Sequence, residues 1–273
     1  MPPASRTSTS RTPTGTTYSG GGWLPHGYRF DAHSHAEGQL VYAAAGALAT
    51  TTTHGTWVAP ANRVTWTPPG FAHSHRFYGR TDVRLLAVPT SLCEVLAARP
   101  GVFAVSPLVR EALIALTDDR EFRPGAYERL RAVVIDELAE TPEQSLHLPE
   151  PHDDRLRAVT GLLHTDPGRS ATLAELGRAV GASERTLSRL FHSELGMGFH
   201  RWRTILRIHH ALVHLADGRS VTETAVECGW SNPSSLIEAF TEVVGQTPGR
   251  YQAELRDGPH TGGAGDGRVS RQP

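Results

Sequence analysis

The last third of the chain repeats itself, and few folds accommodate the repeat. Leu173, Gly181, Leu187, Phe191 and Gly196 correspond to Val221, Gly229, Leu236, Phe240 and Gly245, at an offset of 48 residues before the turn and 49 after it. Each copy reads as helix, tight turn, helix. In the first copy, apolar spacing predicts a helix over about Leu173 to Val180, stopped by Gly181, a residue type that enters the left-handed backbone region without steric cost. Ser183 then stands where a side-chain oxygen caps the next helix. That helix buries Leu187, Leu190 and Phe191 on one face and leaves Arg185, Ser188, Arg189 and His192 on the other. An arginine so placed can pair bidentately with guanine O6 and N7 in a major groove, each pair giving roughly 1–3 kcal/mol of base discrimination. Two arginines on one helix are ordinarily only a solvated surface. Their place inside a duplicated helix-turn-helix makes DNA readout the stronger expectation.

The same stretch is similar to a known family. Thr172 to Tyr251 resembles the DNA-binding domain of AraC/XylS transcription regulators in several signatures together: Ser183-Glu184-Arg185-Thr186-Leu187-Ser188-Arg189-Leu190-Phe191, Trp202-Arg203, Leu206-Arg207, Gly229-Trp230, Phe240 and Gly245-Gln246-Thr247-Pro248. The resemblance implies two recognition helices in successive major-groove segments of one DNA face, about one helical turn apart, joined by a rigid helix. That linker would be Phe199 to Ala216. Carried over by position, the base-facing residues would be Arg185, Ser188 and Arg189 in the first helix and Ser234, Ile237 and Glu238 in the second. The halves are chemically unequal. Asn232 to Val244 carries Glu238 and Glu242 and no basic residue, so its attraction for phosphate has to come from the helix N-terminus and from neighbours such as Arg219. Glu238 is suited to accept from cytosine N4. The alternative, that this half only packs and touches backbone, stays open.

Upstream the texture changes, and a length of 273 residues leaves room for a second domain. Residues 1–22 and 257–273, rich in Gly, Ser, Thr and Pro, are expected to be disordered tails. Residues 23–89 read as short β-like runs (Gln39 to Ala43, Arg63 to Thr67, Val83 to Val88) punctuated by Gly and Pro, the pattern of a small barrel. Residues 90–152 hold connecting helices over Pro107 to Leu116 and Ala126 to Glu140, then a Pro-containing linker. The stripe of Tyr127, Leu130, Val134 and Leu138 would either pair two protomers as a homodimer or pack on the barrel. Residues 153–256 are the DNA-binding domain, which makes the fold class α+β: a cupin-like jelly roll, connecting helices, and an all-α domain with two helix-turn-helix units.

Net charge is −1, so bulk electrostatics argue neither for nor against nucleic acid, and the 27 positive residues are all Arg, which genomic base composition explains without function. No apolar run approaches a membrane span and the N-terminus lacks a secretory apolar core, so a cytoplasmic protein without a membrane partner is expected. Two cysteines, Cys93 and Cys228, are too few and too distant for a disulfide framework and read as buried packing residues.

In the upstream segment His33, His35 and Gln39 share parity, as does Glu37, and would face one side of a single strand. Pro68-Pro69-Gly70-Phe71-Ala72-His73 follows as PxGxxH. Together they resemble the two cupin motifs, HxHxxxE and PxGxxH, of a barrel whose interior takes a metal or a small molecule. Gln39 stands where metal-binding versions carry Glu, and Asn62 where the second motif opens with Gly. The first departure weakens a metal site, an amide being a poorer ligand than a carboxylate. His33, His35, Gln39 and His73 are the candidate effector or metal residues, for a divalent transition metal such as zinc, iron or manganese or for an organic effector. His54 and His75 read as peripheral, and Trp57, Trp66 and Phe77 as core or pocket wall.

The expected protein is a one-component transcription regulator, not an enzyme: a barrel that senses a small molecule or metal, and a helical domain that reads double-stranded promoter DNA, with RNA polymerase as a further partner. Two alternatives remain. One is a ligand-independent regulator whose barrel is only an oligomerisation platform; the other is a cupin enzyme fused to a DNA-binding domain.

Overall fold

The computed structural model describes residues 19–143 and 147–256. The expected tails therefore lie outside the described residues, apart from 19–22. The chain runs β1 (Gly20–Leu24), β2 (Arg29–His33), β3 (Gly38–Thr52), β4 (Gly55–Pro60), β5 (Arg63–Thr67), β6 (His73–Val88), α1 (Thr90–Cys93), β7 (Gly101–Ala104), α2 (Pro107–Thr117), α3 (Ala126–Ala139) and β8 (His147–Pro149). An all-helical segment follows: α4 (Asp154–Thr165), α5 (Leu173–Ala179), α6 (Glu184–Leu195), α7 (Phe199–Ala216), α8 (Val221–Glu227), α9 (Pro233–Val244) and α10 (Pro248–Arg256). The class is α+β.

Two long antiparallel strands, β3 and β6, organise the sheet and each serves two half-sheets. The first part of β3 pairs with β5 on one side and the last part of β6 on the other, with β7 beyond β5 and β1 beyond β6. The rest of β3 pairs with β4 and the first part of β6, with β8 and β2 outermost. The register slips between Ala43 and Ala47, where Gly46 takes φ +83 and a Cβ would sit 2.9 Å from the Thr81 backbone. Glycine is what lets the strand bend there, and Gly79 (φ +68) does the same for β6. The half-sheets then face each other as in a jelly roll, Thr50 of one reaching Thr65 of the other.

Thirteen consecutive residues of β3 are buried, because both of its faces are covered. Leu40 and Tyr42 point outward with Val64, Trp66, Leu86 and Val88 and pack under Leu113, Val134, Ile135 and Leu138 of α2 and α3. The helical stripe of α3 is thus spent inside one protomer, and the expectation of a dimer built on it loses its footing. Val41, Ala43, Leu48 and Phe77 belong instead to a cluster that continues into Ile208, Ala211, Leu212 and Leu215 of α7 and into Leu236 and Phe240 of α9. The first helix-turn-helix packs around Leu156, Leu187, Phe191 and Trp202, with Leu148 of β8 joining from the sheet.

Several boundaries differ from expectation. β1 begins at Gly20, inside the segment read as tail, because a ladder needs only main-chain groups and Gly20–Gly22 supply them to Val83–Leu85. β7 and β8 add strands from within 90–152, a segment read as helices and linker; at four and three residues they are too short to carry a periodicity. Cys228 is buried, with its thiol pushed up to about 12 by desolvation, whereas Cys93 is only half-buried.

Candidate DNA interface and sensor site

The two helix-turn-helix units are built by the same local devices. Thr172 with Glu175, and Ser220 with Glu223, form capping boxes that open α5 and α8. Gly181 (φ +67) and Gly229 (φ +79) make the turns. Ser183 then accepts from the Thr186 amide to start α6, and Asn232 from that of Ser235 to start α9. On α6, Leu187, Leu190 and Phe191 are buried while Arg185 and Arg189 are exposed and Ser188 is half-buried. Neither arginine is held by an ion pair among the described residues. On α9, Ser234, Ile237 and Glu238 are exposed over buried Leu236 and Phe240. Ile237 is 39% exposed, an apolar side chain on a polar face that suits contact with a thymine methyl.

One sequence expectation about this half needs adjustment. Arg219 does not stand free for phosphate, since its guanidinium bonds Glu227, and Glu242 is likewise occupied by Arg201 of α7 at 2.6 Å. Arg203 and Arg207, part of the family signature, face inward: Arg203 donates to the Ala171 carbonyl at 3.1 Å and Arg207 to that of Pro167 at 3.0 Å. Burial lowers the pKa of both. They fasten the linker helix to the loop before α5, and Arg207 also lies over the Trp230 ring, so the second unit is fixed to the same helix.

The barrel brings His33, His35, Gln39 and His73 together. The three imidazoles offer nitrogens all within 4.8 Å of one another. They do not share one strand as expected: His33 ends β2, His35 lies in the following connection, Gln39 is on β3 and His73 opens β6. Each imidazole spends Nδ1 on a backbone carbonyl, His33 on Asp31 at 2.7 Å, His35 on Glu37 at 2.6 Å and His73 on Phe71 at 2.8 Å. A carbonyl only accepts, so Nδ1 carries the proton in each neutral ring and Nε2 presents a lone pair. Gln39 Oε1 lies 3.3 Å from the Nε2 atoms of both His73 and His75. His75, read as peripheral, is buried against this group and bonds Thr50 at 3.0 Å; two positions beyond His73 on one strand, it has the same parity and faces the same way. Burial holds His73 down at about 4 and pushes His35 and, further, His75 below the ordinary imidazole value, so the rings are neutral at pH 7. His35 Nε2 is buried with no hydrogen-bond partner among the described residues. His54 stays outside the group, bonded to Thr53, and Trp57 and Phe77 are buried wall as expected.

Paired helix-turn-helix units on a common helix, each with an exposed recognition face, define a sequence-reading DNA-binding protein. Comparison with known proteins agrees. A helix-turn-helix domain family matches residues 176–254. The transcriptional regulator NimR of Escherichia coli K12 is 31% identical over 233 residues, covering 82% of each chain. Among solved structures, ToxT of Vibrio cholerae aligns at 11% identity over 88% of this chain and 99% of its own, with a TM-score of 0.39. The DNA-binding domain of AdpA, solved with a target DNA, aligns at 27% identity over 38% of this chain and 96% of its own, with a TM-score of 0.37. The chain belongs to the AraC/XylS family of helix-turn-helix transcription regulators. No helix among the described residues is long and apolar enough to cross a membrane.

Proposed function

We propose that this regulator reads promoter DNA in the cytoplasm through Arg185, Ser188 and Arg189 of α6 and Ser234, Ile237 and Glu238 of α9, and that its barrel is a sensor whose ligand is a divalent transition metal at His33, His35, Gln39 and His73. One observation carries the sensor reading. Three imidazoles turn Nδ1 to backbone carbonyls, so their Nε2 lone pairs converge beside Gln39 in one largely buried place. Such a set is unfavourable when buried without a proton or a cation to share. Three nitrogens and an amide oxygen suit zinc, iron(II) or manganese(II), and the carbonyl partners orient each ring as outer-shell groups do in metal sites. When bound, the metal supplies a Lewis-acidic positive centre for an effector. The protein's part is to fix the rings, exclude water on the His75 side and leave half-exposed His33 at the entrance.

The test is metal analysis of the full chain purified without chelator and after incubation with each of the three ions, followed by thermal denaturation. The expected result is near one equivalent bound, with a Tm that climbs with free metal, both lost in His35→Ala and His73→Ala. A folded chain that stays metal-free in every condition would leave sensing to an organic effector hydrogen-bonded by the same side chains.

A further inference from the structure

Gln39 is the residue at which the histidine group departs from the HxHxxxE pattern, and the hydrogens around it account for the departure. The end of its side chain lies 3.3 Å from Nε2 of His73 and 3.3 Å from Nε2 of His75, and all three residues are buried. The contact crosses the barrel. Gln39 stands on the first part of β3, paired with Thr67 and Ala87, whereas His73 and His75 stand on the first part of β6, opposite Thr52 and Thr50 in the other half-sheet.

Both imidazole nitrogens need a donor. His73 gives its Nδ1 proton to the Phe71 carbonyl at 2.8 Å, which leaves Nε2 as a lone pair. For His75 the direction follows from the far end of a chain of hydroxyls. The Val41 carbonyl only accepts, so Thr65 donates to it at 3.2 Å, and Thr50 donates in turn to Thr65 at 3.5 Å. The proton in the 3.0 Å contact between Thr50 and His75 is therefore the one on Nδ1, and His75 Nε2 is a lone pair as well. A carboxamide oxygen set between two such lone pairs would leave both buried acceptors without a hydrogen. Half a revolution about the last side-chain bond puts the amide nitrogen at nearly the same place, where its two hydrogens meet two acceptors. His35 Nε2, buried and without a partner among the described residues, is the nitrogen for which no hydrogen remains.

We propose, resting on the reading of the histidine group as a metal site, that Gln39 is the hydrogen-bond donor that holds the metal-free chain together there, and that an ion has to displace it from His73 in order to bind. In the metal-free chain the amide NH2 serves His73 and His75 together. In the loaded chain His73 Nε2 and the amide oxygen belong to the ion, while His75 stays outside the ligand set as the partner of the amide. A glutamate at this position has no hydrogen to give: it would set a charge against two buried lone pairs, which only a bound cation relieves. Glutamine stabilises the metal-free state and is the poorer ligand in the loaded one, so the two states come closer in free energy, as reversible occupancy of a sensor requires.

The experiment is nuclear magnetic resonance on the full chain with isotope-labelled glutamine and histidine, first after EDTA treatment and then with zinc added. In the metal-free chain, scalar couplings across N–H···N hydrogen bonds should link the Gln39 amide nitrogen to Nε2 of His73 and to Nε2 of His75, with both rings protonated at Nδ1. Zinc should abolish the coupling to His73 and preserve the one to His75. Thermal denaturation adds a readout that a role as ligand alone would not move: Gln39→Met should lower the Tm of the metal-free chain, because both nitrogens lose their donor. Gln39→Glu should lower it too, and should tighten zinc binding by roughly tenfold or more, a carboxylate being the better ligand. A metal-free chain that lacks either coupling, or carries the proton on Nε2 of either ring, would overturn the proposal. Zinc uptake that leaves the His73 coupling intact, or an unchanged Tm in metal-free Gln39→Met, would overturn it as well. Couplings present in a chain that takes up no zinc would count against the metal reading alone and leave Gln39 as the donor.

Discussion

Arg185 and Arg189 lie four residues, about one helical turn, apart on the exposed face of α6, with no ion-pair partner among the described residues to be stripped away before either reaches a base. Arg189→Ala should therefore weaken binding to the cognate operator by about 1–3 kcal/mol and relax base preference at one position, read by fluorescence anisotropy at fixed salt on singly substituted sites. Unchanged affinity in a folded variant would remove Arg189 from the readout set. Ile237→Ala on α9 should have a smaller effect confined to sites with thymine at its contact, since only apolar contact with a methyl is lost. Both faces were legible in the sequence because a helix sorts its residues by a fixed period. The histidine group was legible through the resemblance to the cupin motifs and not through strand parity, which failed: HxH and PxGxxH placed His33, His35 and His73, and Gln39 came with them. His75 escaped although the signal was present, since sharing parity with His73 on one strand puts it on the same face.

Elements were readable where side chains mark their own ends. Capping boxes and turn glycines bracket α5, α6, α8 and α9, so those boundaries follow from sequence to within a residue or two. Ser183→Ala should cost about 1 kcal/mol by leaving the Thr186 amide without its acceptor, measurable as a lowered denaturant midpoint with an unchanged m-value. β7 and β8 were not readable. Each is a few residues long and owes its place to a partner strand far away in sequence. β8 carries His147, stacked on Trp57 at 4.1 Å between ring centres, and burial holds that imidazole down at about 4. His210 on α7 is held at about 4 for the same reason, with His164 and His214 pushing in the same direction. A folded value below the ordinary 6.5 means that the unfolded chain binds more protons as pH falls. The stability involved is fully present above pH 6.5 and is lost as pH falls through that value towards 4. Tm should drop across this window, and His147→Phe, which keeps the stack and removes the titration, should flatten the drop; an unchanged slope would place the proton uptake elsewhere.

At the scale of the whole molecule, the two DNA-reading units are unequal in what supports them. The first takes a single barrel residue into its core, Leu148 of β8, whereas the core of the second is broadly continuous with the barrel through Ile208, Ala211, Leu212 and Leu215. Sequence could not show this, because the duplicated pattern makes the units look equivalent and says nothing of what each packs against. The junction has a specific polar tie: buried Arg63, at the start of β5, donates Nη2 to the Val244 carbonyl at 2.6 Å, at the C-terminal end of the recognition helix α9. The last carbonyls of a helix have no partner within it, and a cation there also complements the helix dipole. Arg63→Met keeps an apolar stem of similar reach but leaves that carbonyl buried without its donor, which should cost about 2 kcal/mol. If the barrel supports the second unit more than the first, the loss will be local. Amide exchange should quicken over 233–244 while residues 184–195 keep their protection, and binding should weaken mainly at the operator half proposed for Ser234, Ile237 and Glu238. Uniform acceleration across both units would mean that they open as one body, and that the barrel acts on DNA binding through the shared helix α7 rather than through this contact.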